Sequence, residues 1–240
     1  MPTFFLGTPL LITHSYLCLS QILFITGTDT GAGKTVLTAL LARYLIGQKF
    51  RVAAFKPVCS GGRDDAEKIF AALDGALTLD EINPWHFRAA MAPSLAAKLE
   101  NKSITLAQVL AHLRAAQKNF DVTLVEGAGG LLSPIGEDFD SRDLLLALRS
   151  APVIIAPNKL GVVNHLRLTL EALPKNHRAR TKVVLMSPAT PDAATKTNAG
   201  LLGKFFPAER IFTMPWLGKK FALAAALKNL RVRQTLEKLY

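Results

Sequence analysis

The sequence predicts an α/β fold in which a doubly wound, mostly parallel sheet has helices on both faces. Short apolar runs rich in β-branched residues alternate with longer helical patterns from residue 21 onward. Glycine-rich or charged turns follow several of these runs, as they do at the carboxyl ends of parallel strands. Half of the 240 residues are apolar, which is enough for a large core in a single domain over residues 21–240.

The first half of the chain contains three of the expected strands. They are apolar runs that end next to a glycine, a lysine and an acid, at residues 22–26, 51–55 and 122–125. Apolar residues spaced three to four apart predict helices at residues 34–47, 64–73 and 106–118. A looser helical stretch is expected at residues 93–98.

The second half continues the alternation. Valine-rich and isoleucine-rich runs predict strands at residues 153–156 and 182–186. Helices are expected at residues 141–149, 164–173 and 221–239, with Ser141 as the N-cap of the first. No internal repeat interrupts this order.

The most informative segment is the turn TGTDTGAGKT at residues 26–35, between the first strand and the first helix. Backbone N–H groups of such a turn and of the helix N-terminus favour an anion. Gly31 and Gly33 would let the backbone approach a phosphate, because neither has a Cβ atom. Lys34 would reach the outer phosphates of a nucleotide, and the Thr35 hydroxyl would bind Mg²⁺.

This turn departs by one position from the usual phosphate-binding pattern. The pattern places its first glycine where this chain has Thr28, and Gly27 lies one position earlier. The strand before the turn and the helix after it nevertheless make a chance glycine-rich turn a poor explanation. The sequence therefore predicts a P-loop NTPase-like domain that binds a nucleoside triphosphate.

Charged residues at other strand ends would lie at the same edge of the sheet. Glu126 ends an apolar strand and would hold Mg²⁺ opposite Thr35. Lys56 follows the second strand, and two lysines near one γ-phosphate suit phosphoryl transfer. Asp65 begins a helix, so it could cap that helix or be a second acid for Mg²⁺, and its neighbour Asp64 competes for either role.

Small and hydroxyl-bearing residues predict a second ligand beside the γ-phosphate. Glycines at positions 127, 129 and 130 would allow its close approach, and Thr30 and Ser60 could donate hydrogen bonds to it. The segment LGVVNH at residues 160–165 begins a helix whose free N–H groups could bind a carboxylate. Local evidence favours equally an ordinary connection capped by Asn164.

The net charge of +11 is confined to one part of the chain. Residues 1–158 hold 14 basic and 14 acidic residues, whereas residues 159–240 hold 15 and 4. This basic third could face an acidic partner or be a solvated surface. We favour a solvated surface, because no aromatic interleaving or nucleic-acid motif accompanies the charge, so nucleic acid is an unlikely partner.

Cysteine content and hydropathy indicate a cytoplasmic protein with no membrane partner. No apolar run is long enough to span a bilayer, and the two cysteines, Cys18 and Cys59, do not form a disulfide framework. Residues 1–20 are apolar but contain no lysine or arginine, unlike a signal peptide. We expect them to be a loose tail or the result of a start codon assigned too early.

Taken together, the motifs resemble those of the dethiobiotin synthetase family. Their order and spacing agree with that family from about residue 21 to residue 217. The matching segments, with x for positions that the match leaves free, are GTDTxxGKT at 27–35, KPVxSG at 56–61, VEGAGG at 125–130, LGxxNH at 160–165 and PWL at 215–217. The displaced glycine of the phosphate loop is this family's own form.

The resemblance implies an ATP-dependent ring closure of 7,8-diaminononanoate, with CO₂ or bicarbonate as the one-carbon source. One amine would take up CO₂ as a carbamate, whose oxygen attacks the γ-phosphate of ATP. The second amine would attack the carbonyl of the resulting carbamic-phosphoric anhydride. The products would be dethiobiotin, ADP and phosphate.

The resemblance also implies roles for individual residues. Lys34 and Lys56 would neutralise the transferring phosphoryl group. Mg²⁺ would be held by Thr35, Asp65 and Glu126. The residues that would bind ATP are Asp29, Thr30, Gly31, Ala32, Gly33, Lys34, Thr35, Asp65, Glu126, Gly127, Ala128 and Gly129. Those that would bind the diamine or carbamate are Thr30, Ser60, Gly129, Gly130, Leu160, Gly161 and Asn164, the last three from the partner subunit of a homodimer.

Base preference and three other functions stay open at this point. Members of the family often recognise adenine with an asparagine after the strand at 182–186, where this chain has Ser187-Pro188. One alternative is an ATPase switch of the chromosome-partitioning or iron-protein type, but residues 27–32 lack the extra lysine of such proteins. The others are a nucleic-acid-binding module built on the basic third, and an amidotransferase-type ligase of cobalamin synthesis, which would need a glutaminase domain.

Overall fold

A computed structural model describes residues 21–240 of the protein. The predictions made for residues 1–20 lie outside this described part. No helix within it is long and apolar enough to cross a membrane.

The described chain contains eight strands. They are β1 (Gln21–Gly27), β2 (Val52–Phe55), β3 (Val58–Ser60), β4 (Trp85–Phe87), β5 (Val122–Glu126), β6 (Ala151–Pro157), β7 (Lys182–Met186) and β8 (Ile211–Met214). Six of them form a fully parallel sheet in the order β2-β5-β1-β6-β7-β8. The doubly wound α/β prediction is confirmed.

Helices connect the strands and cover the sheet. They are α1 (Lys34–Gly47), α2 (Asp64–Leu73), α3 (Leu79–Ile82), α4 (Pro93–Leu99), α5 (Leu106–Ala116), α6 (Ser141–Ala147), α7 (Val162–Glu171), α8 (Lys175–Arg178), α9 (Ala193–Leu202), α10 (Leu223–Ala226) and α11 (Leu230–Leu239). The central strands are buried almost throughout, which is why their sequences are continuously apolar.

Strand β1 lies at the centre of the sheet, between β5 and β6. Its register sets Ile25 opposite Glu126 and Gly27 opposite Ile155. The turn after β1 therefore begins beside the carboxyl end of β5. This register brings the predicted phosphate loop next to the predicted acid, although about 90 residues separate them in sequence.

The start of α6 corrects one prediction. Asp140, not Ser141, is the N-cap: its side chain accepts a hydrogen bond from the Asp143 backbone N–H, and the Asp143 carboxylate accepts one from the Asp140 N–H. This reciprocal pair is a capping box, and its spacing is present in the sequence. Ser141 is buried inside the helix, where its hydroxyl donates to the carbonyl oxygen of Ala128.

The start of α7 and the end of the chain also differ from the predictions. Helix α7 begins at Val162, two residues early, because Gly161 adopts a φ of 89° and ends the preceding turn. Asn164 therefore lies within the first turn and does not cap the helix. The closing helix is divided into α10 and α11, and Asn229 caps the second part.

Strands β3, β4 and β8 and helices α3, α8 and α9 were not predicted. Strands β3 and β4 are three residues each and pair with one another as a separate parallel ribbon. Strand β8 is a half-buried edge strand of four residues. The elements of three or four residues are too short to show a periodic pattern, whereas the ten-residue α9 buries only two of its residues, Asn198 and Leu202.

Candidate active site

A cleft of about 660 Å³ opens at the carboxyl edge of the sheet. The phosphate loop forms its floor, and the turns after β2 and β5 form two of its walls. The segment before α4 closes a further side. The residues that line it are Thr30, Gly31, Gly33, Lys34, Thr35, Val36, Lys56, Cys59, Ser60, Asp65, Lys68, Ala90, Met91, Ala92, Pro93, Ala128, Gly129, Ser133 and Pro134.

Packing explains why the first glycine of the loop is Gly27 and not residue 28. A Cβ atom on Gly27 would lie 3.1 Å from the Asp29 carbonyl oxygen and 3.2 Å from the Cβ atom of Ala32. Gly33, with a φ of 101°, precedes α1 and leaves the N-terminus of that helix open to the cleft. The displaced glycine is thus required by the way the loop folds over Ala32.

Lys34 lies under the phosphate loop and holds it together. Its ammonium donates to the Asp29 carbonyl oxygen at 3.0 Å, and the Asp29 carboxylate accepts a hydrogen bond from the Thr30 N–H at 2.6 Å. Burial, followed by repulsion from Lys56, lowers the pKa of Lys34 to about 8. Two lysine side chains thus line the same cleft, and their like charges favour an anion in it.

Glu126 is the centre of a buried hydrogen-bond network. Its first carboxylate oxygen accepts from the Thr35 hydroxyl at 2.8 Å and from the Lys56 ammonium at 2.7 Å. Its second oxygen accepts from the Thr38 hydroxyl at 2.7 Å. The side chain is fully buried, and three donors satisfy it.

Lys56 crosses the site from the end of β2. Its ammonium also donates to the Gly127 carbonyl oxygen at 3.1 Å and lies 3.4 Å from the Asp65 carboxylate. Burial alone would lower the pKa of Lys56, but the charges of Glu126 and Asp65 outweigh burial and raise it above the usual value. Lys56 is therefore held as a buried cation.

The structure distinguishes between the two acids at the start of α2. Asp65 lines the cleft and faces Lys56, whereas Asp64 is exposed. Burial would raise the pKa of Asp65, but the nearby charge of Lys56 keeps it below its usual range. Neither acid caps α2, whose N-cap position is Arg63.

The oxygen donors at this point suit a magnesium ion. A hydroxyl and two carboxylates lie around Lys56, and Mg²⁺ in nucleotide sites commonly uses one or two carboxylates together with the phosphates. Residues 21–240 contain no cluster of three or more His, Cys, Asp and Glu side chains that could hold a metal by themselves. The donor set fits a metal that binds together with a nucleotide.

The predicted diamine-binding residues are partly brought together. Thr30, Ser60 and Gly129 line the same cleft, and the Ser60 hydroxyl donates to the Met91 carbonyl oxygen at 2.6 Å. Gly130 lies against the turn after β1, where a Cβ atom would be 3.4 Å from the Thr28 carbonyl oxygen.

Residues of the α7 loop do not reach this cleft within one chain. Leu160, Gly161 and Asn164 are all exposed, and Leu160 has 82% of its surface accessible. None of the three lines the cleft.

Sequence analysis missed two further polar residues. Thr38 lies one helical turn after Lys34, and this spacing on α1 could have identified it as a neighbour of the phosphate loop. Ser133 lines the cleft, and its hydroxyl accepts from the Gly130 N–H at 2.8 Å. The same hydroxyl occupies the space that a side chain on Gly129 would need.

A family model described as an AAA domain matches residues 21–220. The chain is 40% identical to the ATP-dependent dethiobiotin synthetase BioD of Anaeromyxobacter sp. (strain Fw109-5), covering 68% of this chain and 75% of the relative. It is 32% identical to the protein of the same name from Bacillus subtilis (strain 168), covering 86% and 89%.

Solved structures with this fold include a ParA family ATPase from Chlorobium tepidum. It has a TM-score of 0.60 at 13% identity and covers 92% of this chain and 99% of its own. The pNOB8 ParA protein, solved with nonspecific DNA, has a TM-score of 0.58 at 15% identity and covers 92% and 97%. At these identities the likeness shows a common fold and nothing more.

Proposed function

The chain belongs to the family of ATP-dependent dethiobiotin synthetases, and from this premise we propose that it catalyses MgATP-dependent carboxylation and ring closure of 7,8-diaminononanoate. Family membership makes it an ATP-dependent cyclo-ligase of biotin biosynthesis. The observation that best supports the finer proposal is that Lys34 and Lys56 both line one open cleft, together with Thr35 and Asp65. Such a paired positive charge suits a transferring phosphoryl group.

In this proposal, charge placement at the phosphate end drives the reaction. Lys34 and Lys56 stabilise the negative charge that develops on the γ-phosphoryl oxygens. Thr35, Asp65 and Glu126 would hold Mg²⁺, which neutralises charge on the β- and γ-phosphates when bound. One amine of the substrate adds to CO₂ and loses a proton to solvent, which gives a carbamate. A carbamate oxygen then displaces ADP from the γ-phosphorus, which gives the carbamic-phosphoric anhydride.

In the second step, attack of the second amine on the anhydride, the enzyme needs to orient the amine more than to remove a proton from it. No histidine lines the described cleft, and a free amine is already nucleophilic. Thr30, Ser60 and the Gly129-Gly130 turn would direct the second amine to the anhydride carbonyl, where ring closure expels phosphate. Positioning of this kind can supply most of the rate enhancement.

We propose a homodimer in which each cleft is completed by the partner. Leu160, Gly161 and Asn164 would bind the carboxylate of the substrate held in the partner's cleft, at the open start of α7. Their exposure in one chain and their absence from the lining of its own cleft support this arrangement. Ser187-Pro188 follows β7 where an adenine-binding asparagine is often found in the family.

An ATPase switch is the second candidate, because ParA proteins share the fold. Against it, residues 27–32 contain no lysine. The two functions differ in what stimulates ATP cleavage. A switch would respond to a protein or nucleic-acid partner, whereas a synthetase would respond to a small diamine.

One assay distinguishes them. Purified protein would be incubated with MgATP, ¹³C-bicarbonate and 7,8-diaminononanoate, and phosphate and labelled product would be measured. We expect phosphate release to depend on the diamine and to accompany equimolar ¹³C-labelled cyclic urea. Phosphate release that is independent of the diamine would contradict the proposal, and stimulation by DNA in place of the diamine would favour the switch.

A further inference from the structure

The side chain of Asn83 is a buried hydrogen-bonding centre beside the cleft. It follows α3 and is fully buried. Its amide nitrogen donates to the Lys56 carbonyl oxygen at 2.7 Å. Its amide oxygen accepts from the Cys59 thiol at 3.1 Å and from Nε of Arg63 at 3.3 Å. One side chain thus joins three positions of the segment between β2 and α2.

We call the hydrogen bond from the Asn83 amide nitrogen to the Lys56 carbonyl oxygen the first arm of this centre, and it holds the backbone of Lys56. Strand β2 ends at Phe55, so the sheet does not hold the next residue. The Lys56 N–H donates instead to the Ile82 carbonyl oxygen at 3.0 Å, and its own carbonyl oxygen accepts from Asn83. These two bonds fix the direction in which the Lys56 side chain leaves the backbone toward Glu126.

The second arm is the hydrogen bond that the Asn83 amide oxygen accepts from Nε of Arg63, the residue that directly precedes α2. The Arg63 guanidinium donates to the carbonyl oxygens of Leu79 and Asn83, both at 3.0 Å, and to the Asp80 carboxylate at 2.8 Å. Arg63 is thereby attached to α3 at several points. It lies two residues before Asp65, so this attachment sets where the Asp65 carboxylate enters the cleft.

We propose that Asn83 is a positioning residue that aims the Lys56 ammonium at Glu126 and, through Arg63, places Asp65 at the same point. Asn83 does not line the cleft, so it acts through these residues and not on a ligand. The inference rests on the proposed function for the roles of Lys56 and Asp65. Its geometric content, the aim of the Lys56 side chain, can be tested without any assay of the reaction.

Two substitutions separate the arms. Asn83→Asp keeps an oxygen acceptor for Cys59 and Arg63 but removes the donor to the Lys56 carbonyl oxygen. Arg63→Met keeps that donor but releases the start of α2. Thr78→Ala is the matched control for destabilisation of α3, because it breaks the capping box of that helix and removes none of the hydrogen bonds that Asn83 or Arg63 makes.

The two variants should affect different kinetic quantities, one the turnover and the other the Mg²⁺ requirement, which general destabilisation would not do. Asn83→Asp should lower turnover by about tenfold even at saturating Mg²⁺ and substrates, because small displacements of charged groups cost rate. Arg63→Met should raise the half-saturating Mg²⁺ concentration and preserve turnover at saturating Mg²⁺. Thr78→Ala should lower the melting temperature and change neither quantity.

Crystal structures of the wild type and Asn83→Asp complete the test. We expect the Lys56–Glu126 ion pair, 2.7 Å in the native protein, to be broken in the variant. An intact pair in Asn83→Asp, or the same kinetic losses in Thr78→Ala, would overturn the inference. Absence of diamine-dependent phosphate release by the wild type would refute the proposed function instead, and the crystal structures would still decide the role of Asn83.

Discussion

The ammonium of Lys56 lies 2.7 Å from a carboxylate oxygen of Glu126, and the two side chains are 4% and 0% exposed. The pair connects the carboxyl ends of neighbouring strands β2 and β5. Desolvation of two charges is costly, so such a pair depends on further hydrogen bonds to both partners. Thr35 and Thr38 provide them for Glu126, and the Gly127 carbonyl oxygen provides one for Lys56.

Removal of the Lys56 charge should affect both catalysis and stability. We expect Lys56→Met to lower turnover by about 100-fold or more, as loss of one charge-stabilising group does. It should also lower the free energy of unfolding by about 3 kcal/mol, because Glu126 remains buried without its counter-charge. Diamine-dependent phosphate release and urea denaturation measure the two effects. Lys98→Met, at an exposed lysine, is the control, and near-normal turnover of Lys56→Met would refute its role.

Thr38 provides a test of how Glu126 is oriented. Thr38→Val has nearly the same shape but leaves one carboxylate oxygen of Glu126 without its donor. We expect a loss of about 2 kcal/mol in the free energy of unfolding, typical of a hydrogen bond to a charged group, and a higher half-saturating Mg²⁺ concentration. Thr38→Ser should restore both quantities. Equal behaviour of the valine and serine variants would show that the hydroxyl does not hold Glu126.

Sharing of the site between subunits can be tested by mixing variants. Lys34→Ala should abolish turnover, and Asn164→Ala should raise the KM for the diamine without changing that for ATP. In a mixed dimer of the two variants, one cleft combines an intact phosphate loop with an intact α7 loop. Activity at low diamine concentration should therefore reappear after denaturation and refolding of the mixture. Its failure to reappear, with mixed dimers verified by mass spectrometry, would show that the α7 loop does not complete the cleft of the partner subunit.

His177 should make the stability of the protein sensitive to mild acid. It is buried on α8, and its Nε2 atom has no hydrogen-bond partner among residues 21–240. Burial, with the nearby charge of Arg180, lowers its pKa below the usual 6.5. The unfolded chain therefore binds this proton more readily than the folded one, so stability is full above pH 6.5 and is lost as the pH falls through the lower folded pKa.

The measurement is the free energy of unfolding of the wild type and of His177→Gln between pH 7.5 and pH 5. We expect the difference between the two proteins to shrink or reverse toward pH 5, because only the wild type has this proton to take up. A difference that is independent of pH would show that His177 does not contribute.

Local chemistry was sufficient to predict several features of the site. The glycines, Lys34 and Thr35 of the phosphate loop are contiguous, so their mutual geometry is fixed by one turn and one helix start. Glu126 and Lys56 could be placed because each directly follows an apolar strand, and parallel strands end at a common edge. Position relative to a strand end was therefore as informative as residue type.

Other features could not be derived from sequence because their contacts are distant along the chain. That Asp65 and not Asp64 lines the cleft depends on which of the two side chains on α2 faces Lys56. The hydrogen bonds of Asn83 to Lys56 and Arg63 depend on the position of α3. That helix has a single turn, so its sequence shows almost no periodicity. The cap of α6 differs from these, because the spacing of Asp140 and Asp143 is present in the sequence, although Ser141 was predicted as the cap.

Short patterns in the sequence were enough to predict a doubly wound nucleotide-binding domain with a phosphate loop, two lysines and a strand-end acid at one edge. These features are local, because each follows from a short pattern and the edge at which parallel strands end. Only the folded chain shows that Asp65 and not Asp64 lines the cleft, how Thr38 and Asn83 bond to Glu126 and Lys56, and that the α7 loop does not line its own cleft. Those outcomes depend on packing between segments tens of residues apart, and no short pattern in one segment specifies the position of the other.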